Sequence, residues 1–133
     1  MKIEPGASAE LSRTITDADI QIFAELTGDH NPVHLDDDFA RQTRFGRRVA
    51  HGMLSATLIS TVLANQLPGP GSVYLSQSLR FVAPVFPGDT VLVRVTVLSV
   101  REEKSIATLE TVCLNQRDEK VITGEAVVLF ERR

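Results

Sequence analysis

The stretch Gly52-Met53-Leu54-Ser55-Ala56-Thr57-Leu58-Ile59-Ser60-Thr61-Val62-Leu63-Ala64-Asn65-Gln66-Leu67 carries no charge and is stopped by Pro68-Gly69-Pro70-Gly71. Its apolar side chains, Met53, Leu54, Leu58, Ile59, Val62, Leu63 and Leu67, fall around most of a helical circumference, which predicts a helix covered on nearly all sides. A membrane span needs about 20 mostly apolar residues. Ser55, Thr57, Ser60, Thr61, Asn65 and Gln66 interrupt this one, so the helix belongs in a protein core and the rest of the chain must wrap it.

The second half supplies the wrapper. From Ser72 to Val82 the chain alternates, with Val73, Leu75, Leu79 and Phe81 on one face and Tyr74, Ser76, Ser78 and Arg80 on the other, the pattern of a half-buried strand. Pro84 and Pro87-Gly88-Asp89 end it. Val91, Val93, Val95 and Val97 form the next strand, Arg101-Glu102-Glu103-Lys104 turns the chain, and Ala107, Leu109, Thr111 and Cys113 alternate again. After the turn Gln116-Arg117-Asp118-Glu119, a last strand from Lys120 to near Phe130 puts Ile122, Gly124, Ala126, Val128 and Phe130 on one face. Each of these strands is long, and short connections favour antiparallel neighbours. Long twisted antiparallel strands curl, so the expectation is an α+β fold with a curved antiparallel sheet around one central helix. Ahead of the helix, Ala9–Arg13 predicts a short first strand. Thr16-Asp17-Ala18-Asp19 has the capping-box form that opens a helix, with Ile20, Phe23, Ala24 and Leu26 at helical spacing up to the stop at Gly28.

The 133 residues hold 14 Lys and Arg against 17 Asp and Glu, a net charge of −3, and 43% are hydrophobic, which fits one globular domain spanning 1–133. A charged fraction of 23% with balanced signs argues against disorder, and the acidic excess removes the basic surface that nucleic-acid binding needs. The single cysteine, Cys113, allows neither an internal disulfide nor a thiolate metal cage. Met1-Lys2-Ile3-Glu4-Pro5-Gly6 has no apolar core of signal-peptide length. A cytoplasmic protein with no nucleic-acid or membrane partner is expected.

Two constellations carry chemistry. Gly28-Asp29-His30-Asn31-Pro32-Val33-His34-Leu35-Asp36 follows the first helix, and Asn31-Pro32 predicts a non-helical turn that brings Asp29 and His34 side by side. A carboxylate beside an imidazole raises its pKa while burial opposes this, which is how two groups become tuned for proton transfer near neutral pH. A capped turn of solvated polar residues is the plainer alternative. Val49-Ala50-His51-Gly52-Met53-Leu54 places His51-Gly52 at the start of the apolar helix, where backbone N–H groups without helical partners and the positive dipole end can receive an oxyanion. The alternative there is that Gly52 only lets the helix pack closely. His30 and His34 are separated by Pro32, which prevents the regular helix that would aim both at one ion, so no metal is expected.

Together, Asp29 to Asp36 and His51-Gly52-Met53 resemble the MaoC-like (R)-specific enoyl-CoA hydratases, hotdog-fold proteins whose "hydratase 2" motif holds an Asp-x4-His pair, here Asp29 and His34. Leu67 to Leu75, Pro84 to Asp89 and Thr123-Gly124-Glu125-Ala126 also look like short members of that family. No matched position departs from the pattern. The resemblance implies a hotdog homodimer with active sites near the subunit interface, no cofactor, and reversible syn addition of water to trans-2-enoyl-CoA, giving (R)-3-hydroxyacyl-CoA. It implies catalytic roles for Asp29, His34 and the Gly52 N–H, with Asn31 and His51 in support. It leaves open which of Asp29 and His34 takes the proton from water and which delivers one. Ser60 matches a serine near the acyl pocket of similar short hydratases; a serine bonded back to the preceding helical turn is the alternative.

Arg41, Arg44, Arg47 and Arg48 form a basic cluster just ahead of His51, and Arg47, Arg48 or Arg80 could hold the coenzyme A phosphates. Such an enzyme could supply polyester synthesis (polyhydroxyalkanoate), serve auxiliary fatty-acid oxidation, or dehydrate hydroxyacyl groups on a carrier protein. Two rival functions share the fold: an acyl-CoA thioesterase, and a non-catalytic acyl-binding subunit of a heteromeric dehydratase. A thioesterase usually lacks the joined Asp-x4-His and His-Gly segments, and a non-catalytic subunit predicts a degraded pair, whereas all five motif residues are present here.

Overall fold

Three long strands set the geometry. In a computed structural model that describes residues 2–131, β4 (Thr90–Arg101), β5 (Ile106–Leu114) and β6 (Lys120–Leu129) lie antiparallel. Their inward residues stand in register: Val93, Cys113 and Ile122 form one rung, Val97, Leu109 and Ala126 another. The elements before them are β1 (Ser8–Thr14), α1 (Asp17–Thr27), α2 (Pro32–Leu35), α3 (Asp37–Arg41), α4 (Gly52–Asn65), β2 (Val73–Gln77) and β3 (Arg80–Phe81). The sheet order is β1-β4-β5-β6-β2, with β3 also on β6. All pairings are antiparallel.

The alternation read from the sequence holds in the centre of this sheet. Val91, Val93, Val95, Val97, Ala107, Leu109, Thr111 and Cys113 are all buried, and they pack with Ala56, Leu58, Ile59, Val62 and Leu63 of α4. Each fully buried Val, Leu or Ile contributes about 1.5–3 kcal/mol, which makes the helix–sheet contact the main source of stability. Burial also pushes the Cys113 thiol up to about 12, so it stays a neutral core group. α1 forms as its ends predict. Thr16 Oγ1 accepts from the Asp19 N–H at 3.1 Å, the Asp19 carboxylate accepts from the Thr16 N–H at 3.0 Å, and Gly28 closes the helix at φ 78°.

Five expectations are corrected. Ser72–Val82 is not one strand, because β2 and β3 are separated at Ser78-Leu79. The break faces Gly124 of β6, where the Ser78 carbonyl comes so close to the Cα that any Cβ would collide with it, an approach glycine permits. Nor is this segment half-buried, since Val73, Leu75 and Phe81 are exposed. α4 is covered by its own chain on one broad face only; Met53 is 53% exposed, and Thr57, Ser60, Thr61 and Ala64 continue the open stripe. Leu26 of α1 points outward at 81% exposure. Asn31-Pro32 starts the short helix α2 instead of a non-helical turn: the fixed φ of Pro32 suits a first helical position, and Asn31 Oδ1 caps it by accepting from the Val33 N–H at 3.2 Å.

Candidate active site

The ends of α1, α2 and α4 meet where the motif residues lie. Gly28 turns the chain out of α1, and the Asp29 carboxylate accepts from the Asn31 N–H at 3.3 Å, which opens the turn into α2. α2 is then tied to the segment ahead of α4. The Val49 N–H donates to the Val33 carbonyl at 3.1 Å, and His34 Nδ1–H donates to the Val49 carbonyl at 2.7 Å. That second bond settles the tautomer. With its proton on Nδ1, the neutral ring presents an unprotonated Nε2.

His51, the residue before α4, is buried and donates from Nε2 to the Asp29 backbone carbonyl at 3.1 Å. Its ring lies 3.9 Å from the His34 ring, inclined by 32°, and 4.8 Å from Phe23 of α1. One side chain therefore braces Asp29, His34 and α1 together. Polar atoms of Asp29, His34 and His51 all lie within 4.8 Å of one another, close enough to hold an ion. However, stacked imidazoles direct their in-plane lone pairs side by side and not to one point, and His51 Nε2 already serves Asp29. The arrangement suits proton handling better than coordination. Burial pushes the His34 imidazole below its ordinary 6.5, against an upward pull from the Val49 carbonyl; the neighbouring His51 lowers it further, and Asp29 raises it.

A cavity of about 570 Å³ opens beside these groups, lined by His34, Gly52, Ser55, Phe81, Val85 and Ile122 among others. At its wall α4 begins, and the Gly52 N–H, in the first turn, has no carbonyl within the helix to bond. A Cβ on Gly52 would come within 2.8 Å of the Phe81 ring, so this glycine allows both a bare N–H and a close ring contact.

The other sequence candidates divide. Asn31 is the exposed cap of α2. Ser60 is exposed on α4 and lines a different, much smaller cavity with Leu63, Tyr74 and Val128. His30 is exposed and bonds only to the Gly28 carbonyl. Arg47 lies with its guanidinium 3.7 Å from the Phe86 ring centre, and Arg80 is exposed on β3. Arg48 is not a free phosphate ligand. It pairs with Asp17 at 2.5 Å and Asp37 at 2.7 Å, and donates to the His34 carbonyl at 3.3 Å. Missed from the sequence were Ser55, Phe23 and the Val49 carbonyl; Ser55, three residues past Gly52 and so on the same helical face, could have been found by that spacing.

A carboxylate and a neutral imidazole beside the free N–H groups of a sheet-cradled helix define a hotdog protein equipped for acid–base work next to a polarised carbonyl. Residues 2–118 match the model of the MaoC like domain, and the chain belongs to that family. It is 49% identical over 131 residues to the (R)-specific enoyl-CoA hydratase of Rhodospirillum rubrum, covering 98% of this chain and 90% of that one. With the (R)-specific enoyl-CoA hydratase of Aeromonas caviae it shares 50% over 126 residues, 95% of this chain and 94% of the other. The solved structure of an A. caviae (R)-hydratase involved in PHA biosynthesis superposes with a TM-score of 0.95 at 48% identity, covering 98% of both chains.

Proposed function

We infer that this protein is an (R)-specific enoyl-CoA hydratase, a hydro-lyase that adds water to trans-2-enoyl-CoA and removes it from (R)-3-hydroxyacyl-CoA. The observation that carries the reading is that polar atoms of Asp29 and His34 lie within 4.8 Å of each other while His34 and Gly52 line one cavity with mostly apolar walls. The thioester oxygen lies against Gly52, where the first-turn N–H stabilises the negative charge that develops as C3 is attacked. Water lies between Asp29 and His34. Neutral His34 takes its proton at Nε2, the carboxylate of Asp29 holds the second hydrogen, and a proton returns to C2 from the same face. His51 holds the two groups in place, and Asn31 fixes the turn between them. No metal or cofactor enters this mechanism. Hydration of crotonyl-CoA in D2O tests it: one deuterium at C2, syn to the new hydroxyl, is expected, and anti placement would contradict one-sided proton handling.

The supporting features extend to assembly. β2 ends the sheet, pairs only with β6, and is apolar on both faces through Val73, Tyr74 and Leu75. Such an edge is a liability unless paired. A second copy joined edge to edge through β2 closes it and covers the open stripe of α4, so the working form is a homodimer. Arg47 and Arg80 remain for the coenzyme A phosphates, and Ser60 for the distal acyl chain. None of the helices among the described residues is long and apolar enough to cross a membrane. The unpaired, buried Cys113 suits a reducing compartment, and we place the protein in the cytoplasm as one hotdog unit feeding or draining polyhydroxyalkanoate precursors.

A further inference from the structure

Several threonines on the helices and turns of this protein bond back to the chain, and the α4 hydroxyls that do not, Ser60 and Thr61, are exposed to water. Thr27 donates to the Phe23 carbonyl at 2.7 Å, Thr43 to Ala40 at 2.7 Å and Thr57 to Leu54 at 2.6 Å. Ser55 departs from that habit. It is 0% exposed, and its Oγ has no protein partner. Leaving a buried hydroxyl unbonded costs free energy, so each such group calls for an explanation. Among the described residues, the buried side-chain polar atoms without a partner are Ser55 Oγ and His51 Nδ1, and both stand at the first turn of α4. Ser55 also lines the large cavity together with Gly52 and His34. It lies one turn after Gly52, and a helical side chain leans back toward the N-terminus, so the hydroxyl and the Gly52 N–H share one face.

We propose that Ser55 is a catalytic residue whose hydroxyl donates, together with the Gly52 N–H, to the thioester carbonyl oxygen of the bound enoyl-CoA. The inference rests on the hydratase reading above and adds a second donor to it. A hydroxyl is a rotor that turns its hydrogen toward whichever acceptor gathers charge. As water attacks C3, electron density moves onto the thioester oxygen, and two donors stabilise that oxygen better than one. The water-binding pair, Asp29 and His34, belongs to the loop and α2, whereas Ser55 belongs to the same helix as Gly52. The carbonyl end of the substrate is therefore its partner.

The test is Ser55→Ala in the full chain, with three readings: steady-state hydration of crotonyl-CoA, thermal midpoint, and the carbonyl stretching frequency of bound butyryl-CoA, which cannot be hydrated. Removing one donor to an oxyanion lowers kcat by about 100- to 1,000-fold, with KM within about twofold. The thermal midpoint stays level or rises, since alanine leaves no unbonded hydroxyl, and the carbonyl band moves to higher frequency as it loses a hydrogen bond. An unchanged kcat overturns the proposal. So does a fall in kcat accompanied by a lower thermal midpoint and an unmoved carbonyl band, the signature of a packing role. A wild-type protein that hydrates no enoyl-CoA would refute the hydratase reading itself, and the butyryl-CoA band would still decide whether Ser55 meets a thioester oxygen.

Discussion

The β4–β5–β6 sheet and the segment from Gly28 to Gly52 are built on opposite principles. In the sheet, alternating Val, Leu and Ala side chains pack inward, and successive rungs run across the neighbouring strands between the register shifts at Val97/Ser99 and Cys113/Leu114. In the segment, exposed or half-buried polar residues are held one by one: Asp29 through His51, His34 through Val49, α2 through Asn31. Apolar burial is non-directional and makes the sheet tolerant of local change, whereas the segment depends on single directional bonds. Stability and activity should therefore separate by region.

The largest separation is expected at the acid–base pair. Asp29→Asn and His34→Ala should each lower kcat/KM by about 100- to 10,000-fold, with thermal midpoints little changed, because neither side chain belongs to the core. A comparable loss of stability in either variant would break the comparison. Leu109→Ala is the converse: fully buried in the central strand, it should lose about 2–5 kcal/mol of folding free energy, measured by urea denaturation, while the folded fraction keeps its kcat. Arg48→Ala sharpens the boundary. Only 18% of its side chain is exposed, and it ties the His34 carbonyl to Asp17 and Asp37 through two nitrogens. We expect about a tenfold fall in kcat with KM for coenzyme A substrates unchanged, and no rescue by Arg48→Lys, whose single ammonium cannot replace the fork. A raised KM would return Arg48 to the phosphate site. The smallest effect expected is several-fold in KM on reversing both Arg47 and Arg80; no change would remove them from coenzyme A binding.

The pH profile follows from His34. Its folded pKa lies below 6.5, and the neutral ring is the one that accepts the proton from water. Activity should hold at neutral pH and fall as pH drops through that lowered value, so the acid limb of kcat/KM has its midpoint below 6.5. A midpoint above it would mean that the carboxylate, not burial, dominates the ring.

Elements with a local physical cause were legible in the sequence. α1 could be read from Thr16, Asp19 and Gly28, and β4 to β6 from their alternation. The family motif carried Asp29, His34 and Gly52; His34 and Gly52 line one cavity, and polar atoms of Asp29 lie within 4.8 Å of those of His34 and His51. Causes distant along the chain stayed hidden. The break between β2 and β3 faces Gly124, more than forty residues on, whose missing Cβ leaves room for the Ser78 carbonyl. Arg48 read as a free cation because its partners, Asp17 and Asp37, stand 31 and 11 residues away. α3 was missed because Asp36, its N-cap, read as part of the motif loop. The exposed faces of β2 and α4 were mistaken for buried ones, since alternation in one and apolar residues around most of the circumference in the other show which side chains are apolar and not which are covered by this chain. Ser55 was passed over as one small polar residue among apolar ones.

The most direct test of the central claim is the stereochemical outcome with the wild-type protein. Crotonyl-CoA is added, the loss of conjugated enoyl absorbance is followed, and the product is read with stereospecific 3-hydroxyacyl-CoA dehydrogenases. Rapid loss giving only the (R)-3-hydroxyacyl product is expected. An (S) product, or release of free thiol without hydration, would contradict the account.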